Sequence, residues 1–344
     1  MSGQSGESGL PPASADLARE GSAGAGEGVS PPASVSVHVQ ARPAPRWKAA
    51  LPFALAIGLL GFLLARTDLG AVKLRLTHVN LPVFFGFAVL FVASLLSADA
   101  FATVIVYRPV LGRIRFRDLW VVRGASYLPS ILNHHVGQAF VTVFLSRSHN
   151  VPLARMAGGT IVAYASWAAC LLLLGGGAVI ATGSPAAWLA VPFGAGALYL
   201  LVLAIRPKRL ASIELLRPLF ESGVKGHLVA AAARVPHAAV QFLGVWLSFR
   251  LFGVIIPAGA AFSFIPILMV IVTLPLTPQG FGTRDAAAAM LFLQYGLGAT
   301  DEARRASIAA CTLSWAFVLL AIEGLLGLFL LPRATKLLGG ARPT

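Results

Sequence analysis

Acidic side chains are scarce in this chain: 13 Asp and Glu stand against 27 Lys and Arg, and charged residues of both signs make up only 12% of 344 residues. Ordinary soluble domains carry about a quarter charged residues, so this composition excludes them. Cysteine is nearly absent. Cys170 and Cys311 both fall inside apolar stretches, where they read as small packing residues, and no disulfide framework or zinc site can be built from them. No nucleotide-binding loop appears, so any drive for work must come from a gradient or a downstream sink. No loop carries the Asp-rich metal motif of a nucleotide-sugar enzyme. No loop combines a basic run with interleaved aromatics either, so the net charge of +14 does not imply a nucleic-acid partner.

What is abundant is apolar surface. Hydrophobic residues make up 57% of the chain and the mean hydropathy is +0.79, which indicates a polytopic, all-α membrane protein. Crossing a hydrocarbon layer of roughly 30 Å takes about 20 helical residues. That ruler selects six full spans, at 49–65, 82–107, 155–182, 186–205, 227–252 and 307–331. Two further apolar regions, 119–146 and 258–298, are interrupted. Residues 1–46 are rich in Gly, Ser, Ala and Pro and read as a disordered tail before a membrane domain at 47–335, with a short tail at 336–344. The first apolar stretch begins only near Ala49, so a cleavable signal peptide is not expected.

Lys and Arg in the loops orient the chain. Arg42, Arg46 and Lys48 place the N-terminus in the cytoplasm. Two crossings later come Arg108, Arg113, Arg115, Arg117 and Arg123, read as the densest basic loop. Arg206, Lys208, Arg209, Arg217 and Lys225 form the next cytoplasmic group, and Arg333, Lys336 and Arg342 place the C-terminus inside. This alternation holds only if each interrupted region crosses an even number of times. The first has room for two arms of about 14 residues, near 21 Å each, which is too short for full crossings. A re-entrant hairpin entering from the cytoplasm follows. The second region starts from outside, and its greater length leaves open either a hairpin or two kinked crossings. Two broken segments of opposite entry, one per half, form the pattern of an inverted repeat with a site near the midplane.

The first interruption reads Leu128-Pro129-Ser130-Ile131-Leu132-Asn133-His134-His135-Val136-Gly137-Gln138. Asn133, His134, His135 and Gln138 supply neutral donors and acceptors there. The histidines could bind a head group or relay protons, or could simply satisfy loose backbone carbonyls. The second reads Pro275-Leu276-Thr277-Pro278-Gln279-Gly280-Phe281-Gly282-Thr283-Arg284-Asp285. Its prolines stop a helix and its glycines permit backbone turns closed to other residues. A new helix starting near Thr283 would turn unpaired N–H groups and a positive dipole end toward the break, a place suited to anions such as phosphate. Asp285 serves there either as a cap or as a contact for substrate or protons, and Arg284 needs a phosphate or an acid. Asp99, Arg234, His237 and Glu323 are further polar groups at membrane depth, where ionisable side chains face a cavity or a partner. Either acid could neutralise Arg234 or Arg284.

The second segment resembles the proline, glycine-glycine, acidic motif of the lysylphosphatidylglycerol synthase transmembrane region, a flippase-like family that includes stand-alone membrane proteins. Leu128-Pro129, Gly137-Gln138 and Phe144-Leu145-Ser146-Arg147 resemble its earlier motif. Gln138 stands where the family usually has Glu, Val141 where it commonly has Arg, Gln279 replaces a Gly and Asp285 a Glu. The resemblance implies a membrane flippase for an amphiphile, an anionic phospholipid or a polyprenyl-linked lipid. No cofactor or metal is expected, and no catalysis. Thr277, Gln279, Gly280, Gly282, Arg284 and Asp285 join the first-break residues as substrate contacts, with membrane lipids as partners. The alternatives are a lipid-modifying transferase component working with a separately encoded enzyme, and a structural protein whose breaks are packing kinks. In that last case the polar side chains of the two breaks would point apart.

Overall fold

The computed structural model describes residues 77, 79–181, 183, 185, 187–273 and 282–339. The tail at 1–46, the span at 49–65, Thr277, Gln279, Gly280 and the residues after 339 lie outside them. Among the described residues every regular element is helical, as the composition implies.

Helix α1 covers Leu81–Leu111. It starts where the Asn80 side chain accepts from the Val83 N–H at 3.2 Å, with Pro82 in its first turn, and ends at Gly112 with φ +70°. The first interrupted region forms α2 (Phe116–Ser130) and α3 (His134–Ser148), 15 residues each. At 1.5 Å per residue each arm is about 22 Å long, short of the hydrocarbon thickness, and the two pack on each other as a hairpin. Pro129 sits at the end of α2, and Asn133 restarts the chain by accepting the His135 N–H at 2.8 Å. The arms close because Gly137 lies against Ser126 and Ser130, leaving no space for a Cβ.

Helix α4 is Leu153–Ala181 and α5 is Ala187–Ile205. After a single turn at Lys208–Ala211, α6 runs Arg217–Leu251 with a kink at Gly223, φ +59°. The second interrupted region gives α7 (Ala258–Thr273) and α8 (Thr283–Leu291), followed by a 3-10 turn at Leu293–Tyr295. Helix α9 is Asp301–Gly339. With only nine residues, α8 is about 14 Å long and cannot cross a membrane. The choice left open for 258–298 therefore falls on a broken hairpin. Helices α6 and α9 also begin earlier than hydropathy suggests. Arg217 and Lys225 thus lie on α6 rather than in a loop, and α9 also runs past the expected end at 331 and so carries Arg333 and Lys336.

Four of these helices, α1, α4, α6 and α9, are long and apolar enough to cross a membrane. Leu90, Ile180, Val191, Leu325 and Phe329 leave large apolar side chains outward, which suits a lipid solvent and would be costly in water.

The order long helix, broken hairpin, long helix occurs twice, as α1 to α4 and α6 to α9. Packing is reciprocal: α2 rests on α9, the closing helix of the other half, and α7 rests on α4. The opening helices α1 and α6 lie side by side in opposite directions. Phe84 meets Phe252, Phe91 covers Gly244 and Asp99 meets Arg234, so numbering rises on one helix as it falls on the other. Two halves so related are inverted. The core divides accordingly, with an aromatic cluster of Phe84, Phe87, Phe91, Phe252 and Trp315 at one end. Tyr107, Val141, Phe144 and Leu330 pack together around the first hairpin.

Candidate functional site

Asp99 lies two thirds of the way along α1 and is 4% exposed. A carboxylate so far from water requires a partner. It has two, Arg123 of α2 and Arg234 of α6, both also buried. Arg123 further donates through Nη1 to Gln138 Oε1 at 2.9 Å, and Gln138 Nε2 donates to the Tyr107 hydroxyl at 3.2 Å. That hydroxyl is 2.7 Å from Thr160 Oγ1, which is 2.7 Å from Thr142 Oγ1. One polar chain therefore joins α6, α1, both arms of the first hairpin and α4.

Two findings depart from the sequence reading. Arg123 was assigned to the cytoplasmic basic loop, yet it stands inside α2 with 8% exposure. The first break was read as carrying only neutral groups, yet its hairpin holds this arginine against Asp99. The conflict was visible in the sequence, since Arg123 also fell inside the apolar region 119–146. Charge counting assigned it to the loop because Arg113, Arg115 and Arg117 lie just before it in sequence, and those three are exposed. Either acid was expected to neutralise Arg234 or Arg284. Asp99 does so for Arg234, while Glu323 makes no ion pair among the described residues.

At the second break, the Asp285 carboxylate accepts the Gly282 N–H at 3.0 Å, so it caps α8 from the first turn. Gly282 has φ +78°, a conformation natural to glycine. Arg284 Nη2 donates to Asp285 Oδ1 at 2.9 Å and to the Thr312 carbonyl of α9 at 3.1 Å.

A cavity of about 460 Å³ opens between these two places. Asn133, His134, His135 and Gln138 of the first break line it, and so does Arg284 of the second. Asp99, Arg123, Arg234 and Glu323 line it too, along with His237, Gln241, Tyr164 and Trp167. Polar side chains of both breaks therefore face one space rather than pointing apart. Gly282 and Asp285 support the wall from behind and are not part of it. His135 Nδ1 lies 2.8 Å from the Tyr164 hydroxyl, which sets that ring across the entrance to α3. His237 lies where the sequence reading placed an ionisable group at membrane depth, but Gln241, Tyr164 and Trp167 went unread in the sequence. They lie in the middle of long apolar helices, and only the packing of α4 and α6 turns them inward.

The lining is unevenly satisfied. Arg234 Nε and His237 Nδ1 are buried without a hydrogen-bond partner among the described residues; the Arg234 Nε–H is a donor that favours an acceptor-rich occupant, and both atoms can be met by ordered water. Apolar Phe91, Leu171, Leu268 and Trp315 form the rest of the wall. The space thus offers a charged, donor-rich floor beside apolar sides, which matches a polar head on an apolar tail. Among the described residues no three His, Cys, Asp or Glu side chains gather to hold a metal ion.

The family description "Lysylphosphatidylglycerol synthase TM region" matches residues 49–321. No curated protein and no solved structure matches the chain.

Proposed function

The chain belongs to the family of the lysylphosphatidylglycerol synthase transmembrane region, and from that premise we propose that it moves an amphiphile across the membrane, as a flippase-like transporter without catalytic activity of its own. The observation that carries this reading is the single cavity shared by both broken hairpins. Three arginines on its lining, one of them with an unsatisfied Nε donor, support an anionic head group, from a phospholipid or a polyprenyl-linked lipid. The head group would enter between the hairpins while its tails stay in lipid. Rocking of the inverted halves would then change the side to which the cavity opens. Loop charges support a multi-pass arrangement in the cell membrane with both termini cytoplasmic, the positive-inside pattern.

A second reading rests on the family description itself, which names the membrane part of a synthase. In that reading the chain presents lipid to a lipid-modifying enzyme encoded separately, and copurification of transferase activity with the isolated protein would favour it.

The test of transport is reconstitution in liposomes carrying head-group-labelled phosphatidylglycerol, with exposure of the label at the opposite leaflet as readout. Protein-containing vesicles should exchange label faster than empty ones, and Arg284→Ala should slow the exchange. Rates equal to empty vesicles for each lipid class tried would overturn the proposal. Equal rates for Arg284→Ala and the unaltered protein would remove Arg284 from the mechanism.

A further inference from the structure

The seam between α1 and α6 is filled differently at its two ends. Where α1 begins, Phe84, Phe252 and Trp315 close it. Where α1 ends, the side chains facing the seam are small, and a groove of about 410 Å³ remains between α1, α4 and α6. Its floor is apolar, with Val106, Val162 and Ala230 each 2% exposed. Gly226 lines it, and the Gly223 kink sets the entry of α6 beside it. Arg108 of α1 and Lys225 of α6 stand on its rim, both exposed. Neither makes an ion pair among the described residues, and no acidic residue lines the groove. The nearest acid along α6, Glu221, is engaged by Arg155 at 2.8 Å.

An apolar slot with two uncommitted cations at its mouth matches one molecule class, a phospholipid whose anionic phosphate sits between the cations and whose acyl chain lies on the valines. It follows the general pattern of basic recesses between membrane helices at the cytoplasmic surface. We propose that this groove is a resident site for an anionic phospholipid, separate from the central cavity and off the path of the transported head group. Bound there, the lipid ties the end of α1 to the kinked entry of α6. Because α1 and α6 are the opening helices of the two inverted halves, its occupancy braces the halves against each other.

Native mass spectrometry of the purified full chain tests this, with phosphatidylglycerol and phosphatidylcholine of identical acyl chains as probes. Phosphatidylglycerol should add one saturable equivalent that R108Q/K225Q weakens roughly thirtyfold, at about fivefold per charge. R113Q/R117Q, which removes two exposed cations just beyond α1, should leave that equivalent in place. Val229 lines the groove and is 47% exposed, so V229W blocks the slot with both cations kept and should also remove the equivalent. A lipid in the central cavity would respond to none of these variants. Equal retention of phosphatidylcholine, equal loss for both charge pairs, or unchanged binding by R108Q/K225Q and V229W would each overturn the proposal.

Discussion

The two broken hairpins solve the same problem with partners drawn from different distances. In the second, Arg284 and Asp285 are adjacent in sequence, and the acid caps its own helix three residues back at Gly282. In the first, Arg123 depends on Asp99 from α1, which is shared with Arg234 of the other half. One hairpin is thus stabilised locally, while the other is stapled across the inverted repeat. Through its ion cluster the first hairpin belongs to the frame that joins the two halves, while the polar contacts of α8 stay within its own half.

The most severe break in this comparison is Asp99→Ala. It leaves two buried arginines without their carboxylate, so the loss should be about 3–5 kcal/mol, read as a fall in unfolding midpoint in detergent. Arg284→Ala should cost less, about 1.5–3 kcal/mol, since Asp285 keeps the Gly282 N–H as a partner. Equal losses would mean that the two hairpins are held alike and that the distinction fails.

Gly137→Val comes next. A Cβ there would lie 2.9 Å from the Ser126 carbonyl oxygen and also strike Ser130, so the arms of the first hairpin must separate. Overpacking of this kind costs about 1–3 kcal/mol. Because α3 carries Gln138, the separation should also loosen Arg123. An R123Q background should therefore reduce the cost of Gly137→Val, and strictly additive losses would show that hairpin closure and the ion cluster are independent.

How much of this could be read beforehand follows the same division between local and distant partners. The cap at Asp285, the restart at Thr283 and the stop near Pro129 involve residues within a few positions of one another, and spacing reveals them. Loop charges plus helix length gave the inverted order, because both are counts along the chain. The Asp99 cluster joins residues 24 and 135 positions apart, and no periodicity links them. Much of the cavity wall from α4 and α6 was hidden for the same reason: Tyr164 and Gln241 become neighbours of the breaks only once α7 packs on α4 and α1 on α6.

Asp285→Ala sharpens the comparison at smaller scale. Loss of the cap should cost about 1–2 kcal/mol, while Arg284 keeps the Thr312 carbonyl. Freed from its acid, Arg284 turns further toward the cavity. Labelled phosphatidylglycerol should then be held more tightly and released more slowly, so the exchange rate falls while binding in detergent rises. Weaker binding would instead make Asp285 a support that aims Arg284.

Glu323→Gln is the mildest change and reaches furthest into the mechanism. Glu323 lines the cavity from α9, one residue from Gly324, which packs on Ile131 at the first break. With no ion pair among the described residues to lose, it should leave stability within about 0.5 kcal/mol. Its effect should appear only in exchange. A carboxylate facing the same space as three arginines either repels an anionic head group or balances one of those cations while the space is empty. Removing its charge should raise affinity for phosphatidylglycerol in either case, and unchanged affinity would take Glu323 out of the head group's surroundings. Comparison with phosphatidylcholine, whose head group has no net charge, isolates that gain. A stability loss as large as that of Asp285→Ala would place Glu323 in the frame with Asp99, and the first hairpin would then be anchored by α9 as firmly as by α1.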